Sequence, residues 1–343
     1  MVSQRPLIAC LDDVELAAEV SGIARSDALR RARTLLVIDT DKTRHGGGGR
    51  AIEAFNCFGQ RLCLKCMPPL GRIRTRASGE RVRQLVEGRE DAFEAEYLCH
   101  RAVSGIPGVP TLLCRGSYAG GPVMLMEWVE GVSLYDARGL WPAMAAAGYP
   151  MSVCAALGSR IAGLLLEARS RDALFVHRDI SSKNVILRTR RLPAATQLST
   201  GDFDVCLIDF GSSVCSDVRE GVQDCGPRLR VWRGATPEYA PPEMLTHSIP
   251  QLLGARLMEG VDVYELCGLL YELYAGRLPY AVAGRAIEET FRLKAEYVPP
   301  RLVTREPWDQ PFCDIVMAGL RPKPFERPSL GEVAQVLAAC AGA

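Results

Sequence analysis

Two short stretches of this chain carry side chains that could do chemistry. His177-Arg178-Asp179-Ile180-Ser181-Ser182-Lys183-Asn184 supplies a carboxylate and, five residues on, a carboxamide. Leu207-Ile208-Asp209-Phe210-Gly211 supplies a second carboxylate. Oxygen donors of this kind suit a hard divalent cation, and a carboxylate beside them could orient an attacking hydroxyl. Transfer of a phosphoryl group between oxygens asks for that combination of positioning and charge neutralisation. Each stretch adjoins an apolar run, Ala173-Leu174-Phe175-Val176, Val185-Ile186-Leu187 or Val205-Cys206-Leu207-Ile208, of the sort that makes buried strands or helix ends. The polar groups would then sit on rigid supports.

Read as H-R-D-x-x-x-x-N followed by D-F-G, the order and spacing resemble the protein kinases, in particular the eukaryotic-like (bacterial-style) serine/threonine protein kinases. An isolated Asp-Phe-Gly is ordinary turn chemistry, so order and context carry the likeness. The resemblance implies an α+β class and the bilobal protein-kinase fold, with a small β-rich N-lobe bearing one main helix and a larger, mostly α-helical C-lobe. It covers residues 34–340, with the N-lobe at about 34–126, the hinge at 127–133 and the C-lobe at 134–340. ATP and Mg2+ are the implied cofactors, and a protein with a Ser or Thr acceptor is the implied substrate. Asp179 would orient the acceptor hydroxyl, and Asn184 and Asp209 would hold magnesium. Arg178 would pair with a phosphate on the segment after Asp209, where Ser212, Ser213 and Ser216 are the candidate acceptors.

The remaining positions follow along the chain. Residues 11–33 (Leu11, Val14, Leu16, Val20, Ile23, Leu29) suggest one or two amphipathic helices, so 1–33 is expected as an N-terminal helical extension. Thr34-Leu35-Leu36-Val37-Ile38 reads as a first strand. The glycines of Arg44-His45-Gly46-Gly47-Gly48-Gly49 could bring backbone N–H groups close to phosphates. On the family pattern Gly46 and Gly49 take glycine positions, while Arg44 stands where the first glycine is usual and Ala51 where the valine is. Arg61-Leu62-Cys63-Leu64-Lys65 resembles the V-A-I-K strand, which makes Lys65 the lysine on the α and β phosphates and sets Cys63 against the adenine. A helix carrying Glu94 and Glu96 should supply the partner of Lys65; Glu96 is preferred, and Glu94 remains the alternative. Val123 to Leu134 resembles the last strand and hinge, with Met126 as gatekeeper, Glu127 to Val129 offering backbone groups to the adenine edge, and Ser133 or Asp136 within reach of the ribose.

The catalytic stretch departs from the family at one place. Serine/threonine kinases usually carry Lys two residues after the catalytic Asp; here Ser181 stands there and Lys183 lies four residues on. Lys183 is therefore expected near the transferred phosphate, and the choice between Ser/Thr and Tyr acceptors stays open. Gly234-Ala235-Thr236-Pro237-Glu238-Tyr239-Ala240-Pro241-Pro242-Glu243 resembles the end of an activation segment, with Glu243 expected to pair with Arg327. Val261 to Leu273, apolar on nearly all sides, reads as a buried helix whose Asp262 anchors the catalytic stretch. Two other readings survive: a kinase-fold small-molecule phosphotransferase, which the Thr236 to Glu243 segment disfavours, and a nucleotide-binding pseudokinase scaffold.

Composition agrees with these expectations. The chain has 343 residues, enough for a large core, and its 41 basic against 40 acidic residues point to neither nucleic acid nor an anionic membrane as partner. The apolar region from Trp141 to Ala168 is broken by Pro142, Pro150 and Arg160, so no membrane span is expected; the acidic start at Asp12, Asp13 and Glu15 is unlike a signal peptide, and a cytoplasmic location follows. Of the 13 cysteines most lie in apolar runs, as free thiols of a reducing compartment would. Cys63 and Cys66 have C-x-x-C spacing, but on a strand they would face opposite sides, which argues against a zinc or redox site.

Overall fold

The computed structural model describes residues 7–17, 25–38, 44–46, 49–67, 79–118, 120–140, 142–219, 235–246 and 249–342. The chain divides into two compact units, one made of Met1–Gly105, Val109–Trp128 and Asp217–Arg233, the other of Ile106–Gly108, Val129–Ser216 and Gly234–Ala343.

In the first unit, β1 (Leu7–Cys10), β2 (Asp12–Leu16), β3 (Thr34–Ile38), β4 (Arg44–Gly46), β5 (Gly49–Asn56), β6 (Arg61–Cys66), β7 (Leu112–Tyr118) and β8 (Gly121–Glu127) form one sheet in the order β1-β3-β5-β6-β8-β7-β2, with β4 also paired to β5. The two ends of that order, β1 and β2, are joined by Leu11 alone. Two residues of chain span only about 7 Å, so the sheet's edges are drawn together and it rolls into a barrel. Alternate residues point inward, and Ala9, Leu35, Ala54, Leu62, Leu64 and Leu125 fill the interior. Helices α1 (Arg25–Arg33) and α2 (Gly79–Val103) complete the unit.

The start of the chain departs from expectation: Leu7–Cys10 and Asp12–Leu16 are strands and Arg25–Arg33 is helix, while Val20 and Ile23 lie outside the described residues. The apolar spacing Leu11, Val14, Leu16 imitates a helix because β2 carries a bulge between Asp12 and Glu15, with Asp13 at φ 50°, which inserts one residue into a two-residue period. As strands, β1 and β2 give β3 and β7 antiparallel partners, which an added helix would not do.

The second unit follows with β9 (Gly131–Ser133), α3 (Leu134–Arg138), α4 (Pro142–Ala147), α5 (Met151–Arg171), β10 (Val185–Arg188), α6 (Ala194–Thr200), β11 (Val205–Leu207), α7 (Gly260–Ala275), α8 (Ile287–Glu296), α9 (Gln310–Gly319) and α10 (Leu330–Ala341). Strands β11, β10 and β9 make a small antiparallel sheet in that order. Gly131 is required in it, because a Cβ there would lie 2.3 Å from the Leu187 carbonyl oxygen. Every residue of α7 from Gly260 to Tyr274 is buried, so the helix is the axis on which this unit packs. Among the described residues α5 alone is long and apolar enough to cross a bilayer, and 56% of its most apolar window is buried inside the protein. At Gly158 on α5 the side chains of Leu270 and Leu337 come close enough to exclude a Cβ, which brings α7 and α10 onto it.

Candidate active site

In the first unit the register fixes which side chains share a face. Lys65 stands opposite Ala51 and Met124, and Cys63 opposite Glu53 and Met126, so Lys65, Cys63 and Met126 lie on the outer face of the barrel wall while Leu62 and Leu64 point in. Cys66 packs against the interior, where burial pushes its thiol up to about 11, so the C-x-x-C pair does face opposite sides. On α2, Phe93, Glu96, Tyr97 and His100 recur at helical spacing on the buried face. Lys65 Nζ bonds Glu96 Oε1, both side chains being buried. Glu94 points elsewhere: its Oε1 accepts from Arg115 Nη1 at 2.6 Å, and Arg115 also bonds Glu15 of β2 at 2.7 Å and stacks on Tyr97. Glu94 is thus an exposed surface charge, paired with Arg115.

The glycine hairpin pairs Arg44 with Ala51 and Gly46 with Gly49; Gly47 and Gly48 at its tip lie outside the described residues. Met126 packs with Phe93, Tyr97, Leu112 and Met124. The Glu127 N–H donates to the Thr111 carbonyl at 2.8 Å, so it is not the group offered to an adenine; Val129 opens the second unit's share of this stretch. Ser133 and Asp136, expected at a ribose, bond each other at 2.6 Å and cap α3.

In the second unit the catalytic stretch is held from below by α7. Asp262 accepts from the backbone N–H groups of His177 at 2.9 Å and Arg178 at 2.8 Å, as expected. Arg178 has φ 67°, a left-handed backbone that an unsupported Arg rarely keeps, and the Asp262 bonds hold it. The Arg178 side chain is buried at 2% exposure. Three residues past Asp262, Glu265 accepts from the Ile180 N–H at 2.7 Å, and burial followed by the charges of Asp262 and Asp179 pushes its carboxyl well above the usual range. Sequence reading passed over Glu265, although an acid one turn beyond Asp262 in an otherwise apolar helix was a usable signal.

Asp179 is consequently aimed and half-buried. Asn184 Nδ2 donates to Asp179 Oδ2 at 2.7 Å and to its carbonyl at 2.9 Å. Thr236 donates to Asp179 Oδ1 from its hydroxyl at 2.7 Å and from its N–H at 3.1 Å. Burial raises the Asp179 carboxyl, the Thr236 bond lowers it, and the charge of Asp209 raises it again. Asp209 also has a left-handed backbone, φ 66°, and its Oδ1 accepts from the Gly211 N–H at 3.3 Å. Phe210 is buried beside Phe175 and His177, with ring centroids 6.3 and 5.4 Å away. Both N–H groups of Asn184 are used on Asp179, which leaves its carboxamide oxygen as the acceptor end. With Asp209 this makes an oxygen-only donor set, the kind that fits magnesium.

Two further expectations meet these surroundings. Lys183 is exposed, its ammonium 5.4 Å from the centroid of the Tyr135 ring, and the side chain bonded to Asp179 Oδ1 is Thr236. A residue one step before Asn184 in this turn is carried outward by the same backbone that turns Asn184 in. Ser212 and Ser213 are buried, Ser213 donating to the His177 carbonyl at 3.1 Å, and Ser216 donates to Asp172 at 2.7 Å. Ser216 is the half-buried one of the three.

Beyond the motifs, Tyr239 donates to Glu272 Oε2 at 2.5 Å and shares a 2.9 Å bond with Ser182 Oγ, while Arg138 bonds the other oxygen of Glu272. The expected pair of Glu243 and Arg327 is present and fully buried, with bonds of 2.5 and 2.9 Å.

No protein-family model matches the chain. It is 28% identical over 195 residues to the serine/threonine-protein kinase pkn2 of Myxococcus xanthus, a stretch covering 56% of this chain and 20% of that protein. It is 32% identical over 185 residues to the serine/threonine-protein kinase PkaA of Streptomyces coelicolor, covering 52% and 29%, and 29% identical over 178 residues to pkn3 of Myxococcus xanthus, covering 50% and 29%. The matched stretch thus spans between a fifth and under a third of the length of these relatives. Over about half its length the chain is thus similar to bacterial serine/threonine-protein kinases.

Proposed function

We propose that this chain is an ATP- and magnesium-dependent protein kinase that transfers the γ-phosphoryl group to a Ser or Thr hydroxyl of a protein. The observation that carries the reading is the Asp179 carboxylate, half-buried, bonded on one oxygen by Asn184 and on the other by Thr236, and under the field of Asp209. A carboxylate so held keeps one orientation, which is what presenting an acceptor hydroxyl in line with a phosphoryl group requires.

Roles divide by unit. In the first, Lys65 held by Glu96 neutralises phosphate charge, Gly46 and Gly49 offer backbone groups to it, and Cys63, Met126 and Glu127 border the base. In the second, Asn184 and Asp209 would hold magnesium, and Asp179 accepts the hydrogen bond of the acceptor hydroxyl and takes its proton as the hydroxyl oxygen bonds to the γ-phosphorus and the bond from that phosphorus to the bridging oxygen breaks, that oxygen leaving on ADP. Magnesium, when bound, neutralises charge on the phosphate oxygens. Arg178 is a buried support for the loop, and Lys183 lies outside the catalytic set. The names of the relatives favour a protein acceptor over a small molecule.

Incubation with labelled ATP and magnesium, with and without a generic acceptor such as dephosphorylated casein, followed by mass spectrometry of the labelled residues, tests the reading. Transfer to Ser or Thr that is lost in Asp179→Asn supports it. Wild-type transfer by Asp179→Asn, or no transfer by the wild-type chain, sinks it.

A further inference from the structure

Lys294, on α8, is fully buried at 0% exposure and is used by none of the chemistry above. Its ammonium donates to the carbonyl oxygens of Pro237 at 2.8 Å, Glu238 at 3.0 Å and Ala240 at 2.8 Å. An ammonium has three N–H donors and no acceptor, so this tripod uses it completely. The rings of Tyr264 and Tyr280 stand 5.6 Å from it. Glu265 of α7 and Glu238 and Glu243 of the segment face it as charges, and Arg327 lies beyond, bonded to Glu243; among the described residues none of the three acids makes a direct ion pair with Lys294. Burial pulls the ammonium down to about 7 against those acids.

An enclosed cation is expensive unless its bonds are well made. Here they all fall on one short run of backbone, Pro237 to Ala240. That run begins beside Thr236, whose hydroxyl and N–H hold Asp179, and it contains Tyr239, which is bonded to Ser182 of the catalytic stretch. Any slack in these four residues is passed to the orientation of the Asp179 carboxylate.

We propose that Lys294 is a positioning residue for phosphoryl transfer: by pinning the Pro237, Glu238 and Ala240 carbonyls it fixes the backbone that sets Thr236 against Asp179. The inference rests on the protein-kinase reading for its consequence, but not for its geometry. Lys294→Met removes all three donors at nearly constant volume, and Lys294→Gln keeps two. With ATP, magnesium and dephosphorylated casein, Lys294→Met should lower kcat at least about tenfold with KM for ATP changed by less than about twofold, and Lys294→Gln should recover part of the loss. Hydrogen exchange over residues 235–246 should quicken in Lys294→Met and be slowed again in Lys294→Gln. Wild-type kcat together with wild-type exchange in Lys294→Met overturns the proposal, as does a fall in kcat matched by an equal rise in KM for ATP, the mark of a general loss of structure. If Lys294→Met does not fold, Lys294→Gln carries the same comparison. A wild-type chain that transfers no phosphate defeats the kinase reading instead, and the exchange data alone then decide whether Lys294 holds the segment.

Discussion

Thr236 donates its hydroxyl to Oδ1 of Asp179 at 2.7 Å, joining two residues 57 positions apart. The same oxygen receives the Thr236 N–H at 3.1 Å, so a side-chain change there removes one bond and spares the other. Thr236→Val should lower kcat on the order of tenfold, leave KM for ATP unchanged and barely move Tm, because orientation is lost while the packing volume is kept. A kcat equal to wild type would mean that Asp179 is aimed by Asn184 alone.

Arg327 spends all five of its N–H donors, two on the Glu243 carboxylate and the others on the carbonyls of Gly260, Arg321 and Pro322. Arg327→Met should therefore cost about 3–5 kcal/mol in urea unfolding, since Glu243 is left charged and buried. Changing both Glu243 and Arg327 to Met should recover much of that loss. Additive losses would show that the carbonyl bonds, rather than the ion pair, dominate.

The Lys65 partner can be separated from its neighbour two residues away. Glu96→Ala leaves Lys65 without its buried anion and should lower kcat/KM for ATP on the order of 10²-fold. Glu94→Ala breaks an exposed pair with Arg115 and should change the same quantity by less than about threefold. The reverse ranking would reassign the helix.

His100 is buried on α2, with Nε2–H donating to the Pro110 carbonyl at 2.7 Å. Burial, with a contribution from the charge of Lys65, lowers it from 6.5 to about 4. Between those values the unfolded chain binds a proton that the folded chain does not, so stability rises with pH across that window and is lost as pH falls through it. At about 1.4 kcal/mol per pH unit the stake is about 3 kcal/mol. Urea unfolding at pH 4 and pH 7 should show the wild-type chain losing that much more on acidification than His100→Gln; parallel losses would remove His100 from the account.

The parts of this protein written in its sequence are those whose geometry is local. The residue types and spacing of His177 to Asn184 and Asp209 to Gly211 can be read from the chain alone, although Asp262 and Glu265 hold the first of these turns. Glu243 with Arg327, and Asp262 beneath the loop, were legible because an ionisable residue in an apolar setting must find a partner. Tertiary packing decided the rest. Glu94 and Glu96 are equivalent as letters, and only the rotation of α2 against β6 puts Glu96 on Lys65 and Glu94 on Arg115. Residues 7–16 read as helix until the barrel's two open edges gave them strands to pair with and a bulge to absorb the extra residue. Thr236, Glu265 and Lys294 entered the positions around Asp179 or behind them, through bonds that span tens of residues. Such pairings depend on how buried faces meet, and a hydrogen bond between distant residues leaves no period in the chain.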